Sequence, residues 1–179
     1  MIDSEKLKSF IRTVPDWPKP GIQFRDITTL IRDPQGLDMA IEGMHERYKD
    51  KSVDLVVGIE ARGFIFGAAL ANRLGLGFVP IRKKGKLPGE VVTKTYALEY
   101  GEDTLEVHKD AFEAGTRVVM VDDLIATGGT ALAACQLMRS IEADILEAAF
   151  VIDLPDLGGA KRLEEAGVPV FAMVVFEGE

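Results

Sequence analysis

The stretch Val118-Val-Met-Val-Asp-Asp-Leu-Ile-Ala-Thr-Gly-Gly-Thr130 decides the fold: an apolar, β-branched run stops at two carboxylates and then at a Thr-Gly-Gly-Thr turn. Arg117 to Val121 has the length and residue types of a strand buried on both faces, and Ala131 to Glu142 carries apolar residues at helical spacing. The segment between them is therefore a strand-to-helix turn. Gly128 and Gly129 let backbone N–H groups approach a ligand, Thr127 and Thr130 add hydroxyls, and the following helix offers its positive end to an anion. Asp122 and Asp123 would repel a phosphate, so they suit a different part of the same ligand, either vicinal hydroxyls or a magnesium ion. A ribose 5-phosphate fits both halves of the loop.

Outward from this loop, helical and strand patterns alternate. Strands are expected at Val53 to Ile59, Phe78 to Arg82, Ile145 to Ile152 and Val170 to Val175, and helices at Gly36 to Lys49, Gly63 to Leu74 and Leu157 to Ala166. Leu7, Phe10, Ile11 and Val14 follow helical spacing behind the caps Asp3 and Ser4, which predicts an opening helix. The pattern is that of an α/β protein with an open, mostly parallel sheet flanked by helices. Val91 to Val107 interrupts it as an inserted antiparallel hairpin around Tyr100-Gly101-Glu102-Asp103, where a lid would sit. Ligands of such sheets bind beyond the carboxyl ends of the strands. Those ends read Glu60-Ala61-Arg62-Gly63, Arg82-Lys83-Lys84-Gly85-Lys86, Asp122-Asp123 and Asp153-Leu154, all on one rim.

Bulk properties set the limits. A chain of 179 residues, 47% hydrophobic and 28% charged, suits one globular domain. The formal charge of −8 argues against general nucleic-acid binding, so any anion site must be a local basic cluster. The lone Cys135 excludes an intramolecular disulfide and fits a reducing compartment, as a packed core or interface residue. No apolar run is long enough to span a bilayer and the start lacks the pattern of a secretory signal, so a cytoplasmic protein is expected. His45 and His108 show no second ligand at metal spacing, and nucleophile-elbow, Walker and dinucleotide fingerprints are absent.

The strand, acidic pair and Thr/Gly loop resemble the PRPP signature of the purine/pyrimidine phosphoribosyltransferase family, type I, and three further segments resemble its adenine-using branch in the family's order. They are the hood Pro20-Gly21-Ile22-Gln23-Phe24-Arg25-Asp26-Ile27-Thr28, the pyrophosphate loop Gly58-Ile59-Glu60-Ala61-Arg62-Gly63-Phe64, and the basic loop Ile81 to Gly89. The resemblance implies a single domain over 1–179, in which 1–35 contributes the base-binding hood and 84–107 a flexible loop and hairpin. It implies conversion of adenine and PRPP to AMP and pyrophosphate in purine salvage, with Mg2+ held through PRPP and water rather than by protein ligands, in a homodimer without nucleic-acid or membrane partners.

Residue by residue, the resemblance assigns Asp122 and Asp123 to the ribose hydroxyls and Ala126, Thr127, Gly128, Gly129 and Thr130 to the 5-phosphate. Arg62, Arg82, Lys83, Lys86 and Tyr100 go to PRPP, and Phe24, Arg25 and Leu154 to adenine. Glu99 stands beside the purine N7 as the proton-handling residue. A non-proline cis peptide is expected near Glu60-Ala61, and Thr29 departs from the proline more usual in the family. The rival readings are a related enzyme for another base, which the hood disfavours, and a nonenzymatic PRPP sensor, which would need a DNA-binding or partner module.

Overall fold

The computed structural model describes residues 3–98 and 101–178. Helix α1 (Ser4–Ser9) opens the chain, its first turn capped by the Asp3 carboxylate, which accepts the Lys6 N–H at 3.0 Å. The expected helix does not reach Val14. Arg12–Pro15 is strand β1, antiparallel to β2 (Gln23–Asp26), with Val14 opposite Phe24. The β-branched pair Thr13-Val14 fits a pleated ladder as well as a helix, and the available partner decides. Thr29 has a definite task here: its hydroxyl donates to the Phe10 carbonyl at 2.7 Å and accepts the Arg12 N–H at 3.1 Å, tying β1 to the short helix α2 (Thr28–Arg32). Helix α3 (Pro34–Tyr48) starts earlier than expected because Pro34 suits a first turn and Asp33 accepts the N–H groups of Gln35 and Gly36.

Beyond it come β3 (Leu55–Ile59), α4 (Gly63–Leu74) and β4 (Gly77–Lys83). The expected hairpin follows as β5 (Val91–Leu98) and β6 (Gly101–His108). The chain then runs through β7 (Arg117–Ile125), α5 (Gly129–Ser140), β8 (Asp144–Asp153), a 3-10 turn at Pro155–Leu157, α6 (Gly159–Glu165) and β9 (Val170–Val175).

One sheet orders its strands β5-β6-β4-β3-β7-β8-β9, parallel from β4 to β9 and antiparallel where the hairpin joins β4. The period of two along β7 sends Val119 and Val121 into a core shared with Phe66 and Ile41, and Val118 and Met120 into one shared with Leu137 and Leu163. Helices thus cover both faces, which is why β7 reads as an unbroken apolar run. Cys135 packs beside Met120, and burial pushes its thiol up to about 12, so it is an inert core residue.

β7 continues past Val121 to Ile125, because Asp122, Leu124 and Ile125 still pair with Phe150, Ile152 and Asp153 of β8. The two carboxylates therefore belong to a strand held on a ladder rather than to a loop. The turn proper is only Ala126 to Gly128, and α5 begins at Gly129 rather than Ala131.

At the start of β8 the Glu147 carboxylate is 5% exposed. It accepts both forks of Arg47 at 3.0 and 2.6 Å and the Tyr48 hydroxyl at 2.7 Å, and Arg47 in turn stacks over Phe171. Burial raises the Glu147 carboxyl, and the bonds from Arg47 and Tyr48 more than offset it, so its folded value lies below the ordinary one. That sign means the stabilisation is present in full above the usual carboxylate range and is lost as pH falls through the lowered value. Glu147→Ala, which leaves the buried Tyr48 hydroxyl without its acceptor and half-exposed Arg47 without its partner, is expected to cost about 2 kcal/mol in urea unfolding at neutral pH. Glu147→Gln should also flatten the acid limb of the stability profile; an unchanged acid limb would contradict this assignment.

Candidate active site

A cavity of about 350 Å³ opens at the carboxyl ends of β3, β4 and β7. Its floor is the end of β7, where Asp122 and Asp123 stand side by side. The first turn of α4 comes very close: a Cβ on Gly63 would lie 2.7 Å from the Val121 carbonyl and 2.9 Å from an Asp122 carboxylate oxygen. Only glycine permits that approach, and it delivers Arg62 onto Asp123, with Nε 2.5 Å from Oδ2. Asp123 is thereby 6% exposed and paired. Among the described residues, Asp122 forms no ion pair of its own. Burial and the neighbouring Asp123 charge push its carboxyl well above the usual range.

The turn beyond is shaped by glycine on glycine. Gly128 sits at φ +76°, and a Cβ on Gly159 would meet the Ala126 carbonyl at 2.2 Å and the Gly128 nitrogen at 2.8 Å. The start of α6 therefore buttresses the turn at backbone distance, and Arg162 adds a bond to the Thr127 carbonyl at 3.4 Å. The first N–H groups of α5 have no partner within their helix, and Thr127 to Thr130 line the cavity, a setting suited to an anion.

On the opposite wall the peptide Glu60–Ala61 is cis, at the expected place. The Glu60 carboxylate accepts Arg82 at 3.2 and 2.9 Å and the Lys83 N–H at 3.1 Å, which holds the pyrophosphate-loop candidate against the end of β4. Those bonds, the Arg82 side chain first, keep the Glu60 carboxyl below its ordinary value. Lys83 reaches the cavity with Nζ 3.0 Å from Asp103, which raises the lysine. From the hairpin, the Tyr96 hydroxyl lies 3.1 Å from Thr130 Oγ1, bridging the suspected lid to the turn.

The cavity thus gathers Arg62, Lys83, Asp122, Asp123 and the turn Ala126 to Thr130. Arg82 and Lys86 are not on its wall: the Arg82 guanidinium is spent on Glu60 and on the Lys86 carbonyl at 3.0 Å. Phe24, Arg25 and Leu154 also lie outside that wall. Phe24 stacks edge-on with Trp17 at 4.5 Å, Arg25 bonds Thr13 at 2.6 Å and covers Phe176 at 4.5 Å, and the Leu154 N–H donates to Ile125 at 3.1 Å. Leu154 is therefore anchored directly beside the end of β7. Glu99 and Tyr100 fall outside the described residues. Sequence reasoning placed Glu60 on the rim without its partner Arg82, and it missed Tyr96, Asp103, Glu106 and Arg162, whose roles depend on partners distant along the chain.

The reading that His45 lacks a second ligand needs correction. One turn of α3 brings Glu42, His45 and Glu46 together, with one ligand atom of each within 4.8 Å of the others. Both carboxylates are already engaged, Glu42 by Arg73 at 2.5 Å and Glu46 by Lys49 at 2.7 Å, and the cluster is not on the cavity wall.

Because the Asp122 carboxyl is raised, the folded state binds its proton more tightly than the unfolded chain, and stability falls as pH rises through that raised value. Asp122→Asn removes the uncompensated charge. Its melting temperature at pH 8 should exceed that of the parent by about 2–4 °C, with a smaller difference at pH 5. A lower melting temperature at pH 8 would overturn this account of the paired carboxylates.

Residues 28–170 match the family model described as phosphoribosyl transferase domain. An adenine phosphoribosyltransferase of Brucella anthropi is 57% identical over 173 residues, covering 97% of this chain and 96% of the relative. Among solved structures, the adenine phosphoribosyltransferase of Thermoanaerobacter pseudethanolicus superposes with a TM-score of 0.90 at 46% identity, covering 96% of this chain and 99% of that one. The adenine phosphoribosyltransferase of Saccharomyces cerevisiae, complexed with adenine and an imino-altritol bisphosphate, gives 0.88 at 42% identity, covering 95% and 97%. With this likeness running over nearly the whole chain, the protein belongs to the phosphoribosyltransferase family, among its adenine phosphoribosyltransferases.

Proposed function

We infer that this chain transfers the phosphoribosyl group of PRPP to adenine, releasing pyrophosphate and forming AMP, as a step of purine salvage. The observation that carries the reading is the end of β7, where a carboxylate pair and an N–H-rich turn share one cavity with Arg62 and Lys83. The turn Ala126 to Thr130 takes the 5-phosphate on the backbone N–H groups that open α5. Asp122 and Asp123 accept the ribose hydroxyls, and an unpaired Asp122 is the better placed of the two to do so.

Arg62 and Lys83, with Arg82 at the end of β4 and Lys86 on the loop that follows, favour pyrophosphate as it leaves. The bond from ribose C1 to the pyrophosphate oxygen breaks with its electron pair, C1 becomes electron-poor, and adenine N9 bonds to it from the opposite face. The proton shed from purine N7 passes to Glu99, and Tyr100 closes over PRPP. Phe24 and Leu154 enclose the base, with Arg25 beside it. These groups act chiefly by positioning and by charge stabilisation.

Magnesium would be held by PRPP and water, and the hard carboxylate oxygens of Asp122 and Asp123 on the cavity floor suit the neighbourhood of such an ion without ligating it. Bound there, magnesium would neutralise charge on the departing pyrophosphate. A homodimer in the cytoplasm is the assembly we propose, and no helix among the described residues is long and apolar enough to cross a membrane.

Incubating the purified protein with PRPP, magnesium and single nucleobases should yield AMP and pyrophosphate from adenine alone. Turnover of another base would overturn the hood assignment, and PRPP binding without turnover would favour a sensor. Glu99→Gln should lower turnover about 100-fold or more while changing the KM for PRPP little; unchanged turnover would remove Glu99 from the mechanism.

A further inference from the structure

The basic loop after β4 is gripped from behind by a residue that no motif marks. Glu106, on β6, is 3% exposed, and its carboxylate accepts three consecutive backbone N–H groups: Gly85 at 3.0 Å, Lys86 at 2.8 Å and Leu87 at 2.8 Å. Successive N–H groups converging on one anion form a nest, the device that elsewhere holds phosphates. Here the protein supplies the anion itself. Burial pushes the Glu106 carboxyl up, and the N–H groups of Leu87, Gly85 and Lys86 more than reverse that, so it stays charged.

The grip is two-sided. β6 pairs with β4 through Arg82 opposite Glu106 and Lys83 opposite Leu105, and the Lys84 N–H continues the contact to the Thr104 carbonyl at 3.0 Å. While Glu106 holds the Lys86 N–H, Arg82 donates to the Lys86 carbonyl at 3.0 Å, and Arg82 is itself fixed by Glu60 of the cis-peptide loop. One peptide-length segment is thus tied to both neighbouring walls. The lysine side chains are left on the outside: Lys83, Lys84 and Lys86 are exposed, and Lys83 reaches the cavity. A buried carboxylate is a poor way to add stability, and N–H groups of an exposed loop could be satisfied by water. What the arrangement does achieve is a fixed backbone under a set of cations.

We propose that Glu106 is a positioning residue for the pyrophosphate end of PRPP, holding the Gly85–Leu87 backbone so that Lys83 and Lys86 meet the substrate already ordered. The proposal rests on the phosphoribosyl-transfer reading for its ligand, but the ordering of the loop can be read without turnover. With the loop prearranged, the cost of immobilising it is not taken from PRPP binding.

Glu106→Gln keeps the shape but turns an amide NH2 toward backbone donors. Losing about one charge-assisted hydrogen bond corresponds to about a tenfold rise in the KM for PRPP, with the KM for adenine changing less than about twofold. The same variant, folded, should be nicked faster by trypsin after Lys84 and Lys86, and calorimetry should show about tenfold weaker binding of inorganic pyrophosphate with magnesium. Should Glu106→Gln fail to fold, Leu87→Pro, which deletes one donor from the loop and spares the buried carboxylate, must show the same selective rise in the KM for PRPP, the same weakening of pyrophosphate binding and faster nicking after Lys84, the bond after Lys86 being closed to trypsin by the proline.

Equal rises in both KM values with a lowered melting temperature would mean a merely structural carboxylate and overturn the proposal, as would unaltered PRPP kinetics and nicking. If the parent protein makes no AMP, the phosphoribosyl-transfer reading fails while trypsin and pyrophosphate binding still decide whether Glu106 orders an anion-binding loop.

Discussion

The site depends on one close approach, that of the first turn of α4 to the end of β7. Gly63 lies so near the Val121 carbonyl and the Asp122 carboxylate that any side chain there would push helix and strand apart. With the helix in place, Arg62 falls on Asp123, and the buried member of the acidic pair is neutralised. Asp122 is left with a raised carboxyl that a ligand hydroxyl could satisfy. The same seam carries the cis peptide at Glu60–Ala61, so the pyrophosphate-loop candidate and the ribose candidate are aligned by one packing contact.

An acidic chain builds an anion site by pairing each cation with a fixed carboxylate. Arg62 with Asp123, Arg82 with Glu60 and Lys83 with Asp103 form three such pairs around the cavity. In each a half-exposed cation meets a largely shielded carboxylate, which holds guanidinium and ammonium groups in register on a protein whose net charge is −8. Glu106 completes the pattern from the backbone side, and Asp26, 8% exposed and held to about 2 by Thr28 and Arg12, anchors the hood. The hood is tied to the sheet again where Arg25 covers Phe176, whose N–H bonds the Asp153 carbonyl.

Much of this was legible from local pattern. The Val118 to Thr130 stretch, the alternation of strand and helix, the inserted hairpin and the rim of strand ends all follow from period, turn chemistry and residue type. Three things were not. Val14 carries helical spacing but lies on β1, because the hairpin partner Phe24 outweighs a weak local preference. The end of β7 was read too early, since Asp122 and Asp123 look like turn residues until β8 is known to extend beside them. Glu106 and Tyr96 were invisible as functional candidates, for a lone glutamate or tyrosine on a strand acquires meaning only from the distant N–H or hydroxyl it meets. Glu99 and Tyr100 were singled out by resemblance and lie outside the described residues.

The most direct test of the central claim is a crystal structure of the protein with AMP bound. The account predicts the 5-phosphate on the backbone N–H groups of Gly128 to Thr130, the ribose hydroxyls on Asp122 and Asp123, and the adenine ring between Phe24 and Leu154. A phosphate seated on the basic loop after β4, or a base lying away from the hood, would contradict it.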